Sequence, residues 1–165
     1  MEFIEYINTW SKNEVLQGRI MIGFGVAVII VVYSIFRSQN ELLKGLLIPL
    51  YFLILVLIGY GSYILNSRPA HVTQSIALYE KSEIEAIEKE KEKHINDNKA
   101  GKNLMRYVYP TLMFVSVIVL LLISAPYYKG IALGFVLLFV AIFIIDNGFV
   151  SRSNAFITYL NELEK

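Results

Sequence analysis

The sequence predicts an all-α, polytopic membrane protein: four transmembrane helices in two hairpins, with a charged, amphipathic cytoplasmic helix between the second and third. Three observations predict it. Of the 165 residues, 56% are hydrophobic and 18% charged, against about 45–50% and about 25% in ordinary soluble domains. The excess lies in four apolar blocks and not at the spacing of a surface helix. Each block is bounded at both ends by Lys or Arg. The formal net charge of +1 lacks the cationic surplus that nucleic acid binding requires. With no cysteine, disulfides, thiolate nucleophiles and Cys-based metal sites are excluded, and the redox compartment is left open.

Residues 1–17 predict a short interfacial helix: Phe3, Ile7, Trp10 and Glu14 share one face, and Ser11 with Glu14 has capping-box spacing before the first span. Span one, residues 20–36, holds 17 uncharged residues between Arg19 and Arg37, just enough to cross most of a hydrocarbon core of about 30 Å. Glu2 and Glu5 without a basic start argue against a cleaved signal peptide. Span two, residues 45–67, has 23 uncharged residues, and span three, 107–128, has 22. Span four, 130–151, also has 22 residues and carries Asp146, the one acid in any span. Pro49 and Pro110 are expected to tilt their helices locally, and Pro126 to end span three.

Between spans two and three, residues 68–106 predict a helix capped at Ser67–Pro69, running from Ala70 to about His94 and broken by Asn96–Gly101. Val72, Ile76 and Tyr79 form its apolar stripe, with Ile84 and Ile87 beyond, while 80–93 is dominated by charge. These five residues are the candidate partner-binding surface. Residues 152–165 predict a second cytoplasmic amphipathic helix.

Placing both termini and the 68–106 loop on one side collects 12 of the 15 basic residues there, so the positive-inside rule puts them in the cytoplasm of a prokaryotic cytoplasmic membrane. Lys44-Gly45 and Ser67-Arg68 align with Lys129-Gly130 and Ser151-Arg152, one residue out of register. Two readings stand: a parallel internal repeat of the kind found in transporters, or shared bias at helix ends. The candidate helix-packing positions are Gly23, Gly25, Gly59, Gly61, Gly130 and Gly134.

No nucleophile with its base, pair of acids or complete metal set lies in the spans, so no enzyme, cofactor or metal is expected. His71 and His94 read as surface histidines of the loop. Asp146, with Asn147 beside it, is the candidate ion or proton site; the plainer reading pairs it with Arg19 or Arg106 at the same membrane edge. The function expected is a non-catalytic accessory or partner-binding subunit. Its partners are the lipid bilayer and a membrane or cytoplasmic protein docking on residues 68–106, with homo-oligomers compatible. The alternatives are a small oligomeric channel or transporter using Asp146, and an immunity-type protein against a pore-forming toxin.

Overall fold

The computed structural model describes residues 2–163. Among them are four long helices and no strand: α1 (Glu2–Phe36), α2 (Glu41–Tyr79), α3 (Glu83–Leu122) and α4 (Pro126–Leu163), each long and apolar enough to cross a membrane. Met1, Glu164 and Lys165, which the expected terminal helices include, lie outside the described residues. Three short turns join the helices. Asn40 caps α2, its Oδ1 accepting from the backbone N–H of Leu42 at 2.9 Å and of Leu43 at 3.3 Å. Ser82 caps α3, its Oγ accepting from Glu85 N at 3.4 Å. Pro126 opens α4, where its missing N–H would have had no partner in any case.

Several boundaries depart from those expected, each for a physical reason. The N-terminal helix and span one, whose continuity the sequence leaves open, form a single helix: α1 runs unbroken from Glu2 to Phe36, and Ser11 is buried mid-helix and does not start a new one. Pro126 starts α4, and span three already ends at Leu122. The loop helix does not begin at Ser67–Pro69, since α2 passes straight through Pro69. Nor does it end at 96–101; the chain turns at 80–82 instead. That turn lets the first half of α3 fold back along α2, and its Asn-rich stretch stays helical, with Asn98 Nδ2 donating to Asn154 Oδ1 of α4 at 3.0 Å.

The apolar segments stand in the order α1–α2–α4–α3: α1 packs on α2, α2 on α4, and α4 on the apolar part of α3. Along the α2–α4 seam Gly45 faces Gly130, Pro49 faces Gly134, and Leu53 and Leu138 share one buried cluster. A Cβ on Gly45 would overlap Tyr127 O, and one on Gly130 would overlap Leu42 O, so the backbones touch and neither position admits a side chain.

Beyond the apolar segments, the start of α1, the ends of α2 and α4 and the first half of α3 close into a four-helix head. Its core is Phe3, Ile7, Trp10, Val72, Ile87, Phe156 and Leu160. Two π-helical turns interrupt the helices: Leu55–Tyr60 lies within the apolar segment of α2, and Leu104–Val108 lies where α3 passes from the head into its apolar part. Such turns hold one extra residue and re-aim the side chains around them.

Candidate functional site

The richest polar chemistry lies at the base of the head, around a cavity of about 340 Å³. Trp10, Tyr60, Tyr63 and Phe149 give it aromatic walls, and Glu14, Arg68, Asp97 and Asp146 give it charge.

Glu14, 1% exposed, is the centre of an ion network joining three helices. Its Oε1 accepts from Arg152 Nε at 2.8 Å, and its Oε2 lies 3.3 Å from Arg68 Nε. Arg152 also donates to Gln17 Oε1, and Gln17 Nε2 donates to Ile145 O at 3.0 Å. Arg68 stands over the Trp10 ring at 5.3 Å. Burial pushes the Glu14 carboxyl above its ordinary pKa, against the pull of Arg152 and Arg68.

A second network sits deeper in the head. Glu90, 3% exposed, accepts from Ser75 Oγ at 2.5 Å and lies 2.9 Å from His71 Nε2. Burial opposes its charge, but the bonds from His71 and Ser75 prevail and hold its pKa below the usual value. His94, 2% exposed, sits 2.6 Å from Ser153 Oγ through Nδ1, with Trp10 and Phe156 edge-on at 4.9 and 4.8 Å. Burial, with Lys93 adding to it, lowers its pKa to about 4, so the ring is neutral at pH 7. The expectation of two surface histidines is thus corrected: His94 is core, and both rings converge on Glu90.

Ser153, His94 and Glu90 superficially have the makings of a nucleophile relay. Its geometry is poor for turnover. His94 Nε2 is 3.6 Å from Glu90, a ring that holds its proton only near pH 4 is a weak base at neutrality, and Ser153 lies inside α4, where backbone N–H groups are committed to the helix and cannot line an oxyanion hole.

Asp146 lies on the cavity wall, and its Oδ2 accepts from Tyr109 OH at 2.5 Å. The expected pairing with Arg19 or Arg106 is not found among the described residues: neither forms an ion pair, and Arg106 stands over Tyr107 at 5.4 Å. Asn147 is exposed and does not line the cavity, so the two candidate residues are not brought together.

Of the candidate packing glycines, Gly25 meets Ile58 and Leu57, Gly61 meets Gly18 O, and Gly130 and Gly134 form the α2–α4 seam. Gly23 and Gly59 have nothing within 4 Å of a built Cβ, so the packing role expected for them is not seen. The expected docking stripe is used by the chain itself. Val72 and Ile87 are in the head core, Ile76 and Tyr79 pack against it, and Tyr79 stacks on Phe3 at 4.5 Å. Ile84 alone of the five stays outward, 73% exposed. Sequence reasoning missed Glu14, Arg68, Glu90, His94 and Arg152 as a unit. Glu14 carried a signal, an acid on the same helical face as Phe3, Ile7 and Trp10.

This combination of four apolar helices and one polar head suggests a multi-pass membrane protein. Searches with protein-family models, curated proteins and solved structures found no match for the chain.

Proposed function

We propose that this is a non-catalytic integral membrane protein of a prokaryotic cytoplasmic membrane, with its head and both termini in the cytoplasm, acting as an accessory subunit that presents the head to a partner. The observation that carries this reading is lopsidedness. The folded mass beyond the apolar segments lies at one end, whereas the opposite end has only the turns 37–40 and 123–125. Among the described residues, 11 of the 14 basic ones lie at the head or its membrane edge, as on the cytoplasmic side under the positive-inside rule. The surface offered is the tip of the head, where exposed Ile84 stands between Glu83 and Glu88 beside Ile87 and Leu163; it fits a basic, apolar segment.

The reading includes a parallel duplication of one hairpin. Gly45 and Gly130, Pro49 and Gly134, and Leu53 and Leu138 are each 85 residues apart and meet their counterparts across the α2–α4 seam. At the head, Trp10 meets His94, 84 residues on. Arg68 and Arg152 keep the same separation of 84. The π turn Leu55–Tyr60 falls between the two registers and absorbs the extra residue. The order α1–α2–α4–α3 is unchanged when the two hairpins exchange places, as a two-fold axis along the membrane normal requires.

A second reading, a small oligomeric channel or transporter, is favoured by one observation: Asp146 lines a cavity and has no cationic partner among the described residues. Against it, the backbone contact of Gly45 and Gly130 closes the α2–α4 seam at the far end.

Photo-crosslinking from position 84 in intact membranes tests the first reading. One discrete adduct is expected, lost in Glu83→Lys/Glu88→Lys. Ion flux through reconstituted protein, abolished by Asp146→Asn, would instead establish the second. Reporter fusions at both termini and in the 80–82 turn test the orientation.

A further inference from the structure

A second depression, a groove of about 630 Å³, lies between α1 and α2 where the head meets the apolar segments. Lys12 and Arg19 of α1 stand along it, with Thr73 of α2 opposite and Val15, Leu16 and Ile76 as its apolar surface. We propose that this groove binds the headgroup of an anionic phospholipid, with Arg19 and Lys12 on its phosphate and one acyl chain running along Leu16.

Charge is the first argument. Among the other head cations Arg68 and Arg152 share Glu14 and Lys93 lies 3.6 Å from Asp97, whereas Lys81, Lys89 and Lys99 are exposed as Lys12 and Arg19 are but do not line this groove. Lys12 and Arg19 are exposed and pair with no acid among the described residues. Two unneutralised cations in one groove form a standing anion site. A guanidinium matches phosphate oxygens in a bidentate fork, and an ammonium adds a mobile point charge.

Depth is the second. Arg19 immediately precedes the uncharged block that starts at Ile20, which puts it at the level of lipid phosphates. Lys12 is seven residues earlier, about 10 Å along the same face of the helix, and the Arg19 side chain, leaning toward the N-terminus of α1 as helical side chains do, reaches toward it. Leu16 and Ile20, both half exposed, continue the groove into the apolar belt. Basic pockets between spanning helices at the cytoplasmic face are a recurrent form of lipid headgroup site.

The third argument is asymmetry between the two hairpins. The positions 84 residues after Lys12 and Arg19 are Asn96 and Asn103, which are neutral. The site therefore exists once per chain and does not follow from membrane-edge bias alone. It rests on the membrane reading of α1, and its third argument on the duplication, and is independent of partner binding by the head.

The test uses the purified full-length chain in phosphatidylcholine nanodiscs containing spin-labelled phosphatidylglycerol. One immobilised anionic lipid per chain is expected, with labelled phosphatidylcholine not retained. Lys12→Gln/Arg19→Gln should weaken binding about thirtyfold, while Arg106→Gln, also a cation at the membrane edge, should change it less than about twofold. Should the double variant fail to fold, Thr73→Glu places an acid on the opposite wall and should produce the same loss. Millimolar inorganic phosphate should leave the lipid in place. Equal retention of phosphatidylcholine, an unchanged affinity in the folded double variant or in Thr73→Glu, an equal loss in Arg106→Gln, or displacement by phosphate would each overturn the proposal.

Discussion

At the far end of the molecule α2 and α4 meet backbone to backbone, with Gly45 against Gly130, whereas at the head they are tied through α1 by Glu14 set between Arg68 and Arg152. On the membrane reading proposed above, lipid would give the helices no hydrophobic reason to associate at the far end, and close packing of small residues is the means available there. The head, outside the apolar segments, buries an aromatic core as a soluble domain does. That core carries buried Glu14, Glu90 and His94, each of which demands partners once water is removed. The far end should therefore fail by steric intrusion, and the head by loss of one partner in a network.

The largest effect is expected at the far end. Gly130→Leu drives a side chain into Leu42 O and should destabilise the α2–α4 pairing by about 3 kcal/mol or more, read by steric-trapping unfolding in bilayers. If it is silent, the seam is not where the helices hold together. Next comes Glu14→Leu, which leaves two guanidinium groups facing one another. Because Arg68 and Arg152 are partly exposed, about 2–3 kcal/mol is the expected loss, less than for a fully buried pair. Unfolding of the head followed by near-ultraviolet circular dichroism measures it.

The pH dependence sharpens the contrast. The folded pKa of His94 is lowered from 6.5 to about 4, so its stabilisation is present above pH 6.5 and is lost as pH falls toward 4, on the order of 3 kcal/mol. Glu14 works the other way: its raised pKa means that stability present below its unfolded value of 4.5 is lost as pH rises through the folded one. Glu90, with a lowered pKa, loses its contribution only as pH falls below 4.5. The wild-type melting temperature should therefore fall from pH 7 to 5, and His94→Leu should flatten or reverse that slope. The smallest effect belongs to Gly23 and Gly59. Alanine there meets nothing and should stabilise by about 0.5–1 kcal/mol through helix propensity, whereas Gly61→Ala should destabilise, its Cβ lying 2.9 Å from Gly18 O.

Sequence alone marked the number of long apolar helices, because apolar runs of this length, bounded by cations, would satisfy their own backbone within a bilayer only as helices. It also marked Gly130 and Gly134 for helix packing, a role they fill at the α2–α4 seam, and Val72 and Ile76 as an apolar stripe, which it assigned to a partner. Only the tertiary structure decided what covers that stripe. The turn at 80–82 folds α3 back along the head, and a three-residue reversal capped by one serine leaves little trace beside a long run of helix-forming charge. For the same reason His94 and Glu90 read as solvated: helical periodicity locates a face, but whether that face meets water or another helix depends on segments more than fifty residues away, such as Ser153. The joining of Glu14 to Arg152, 138 positions along the chain, is likewise a property of packing, since ion pairing needs proximity in space and carries no local spacing rule.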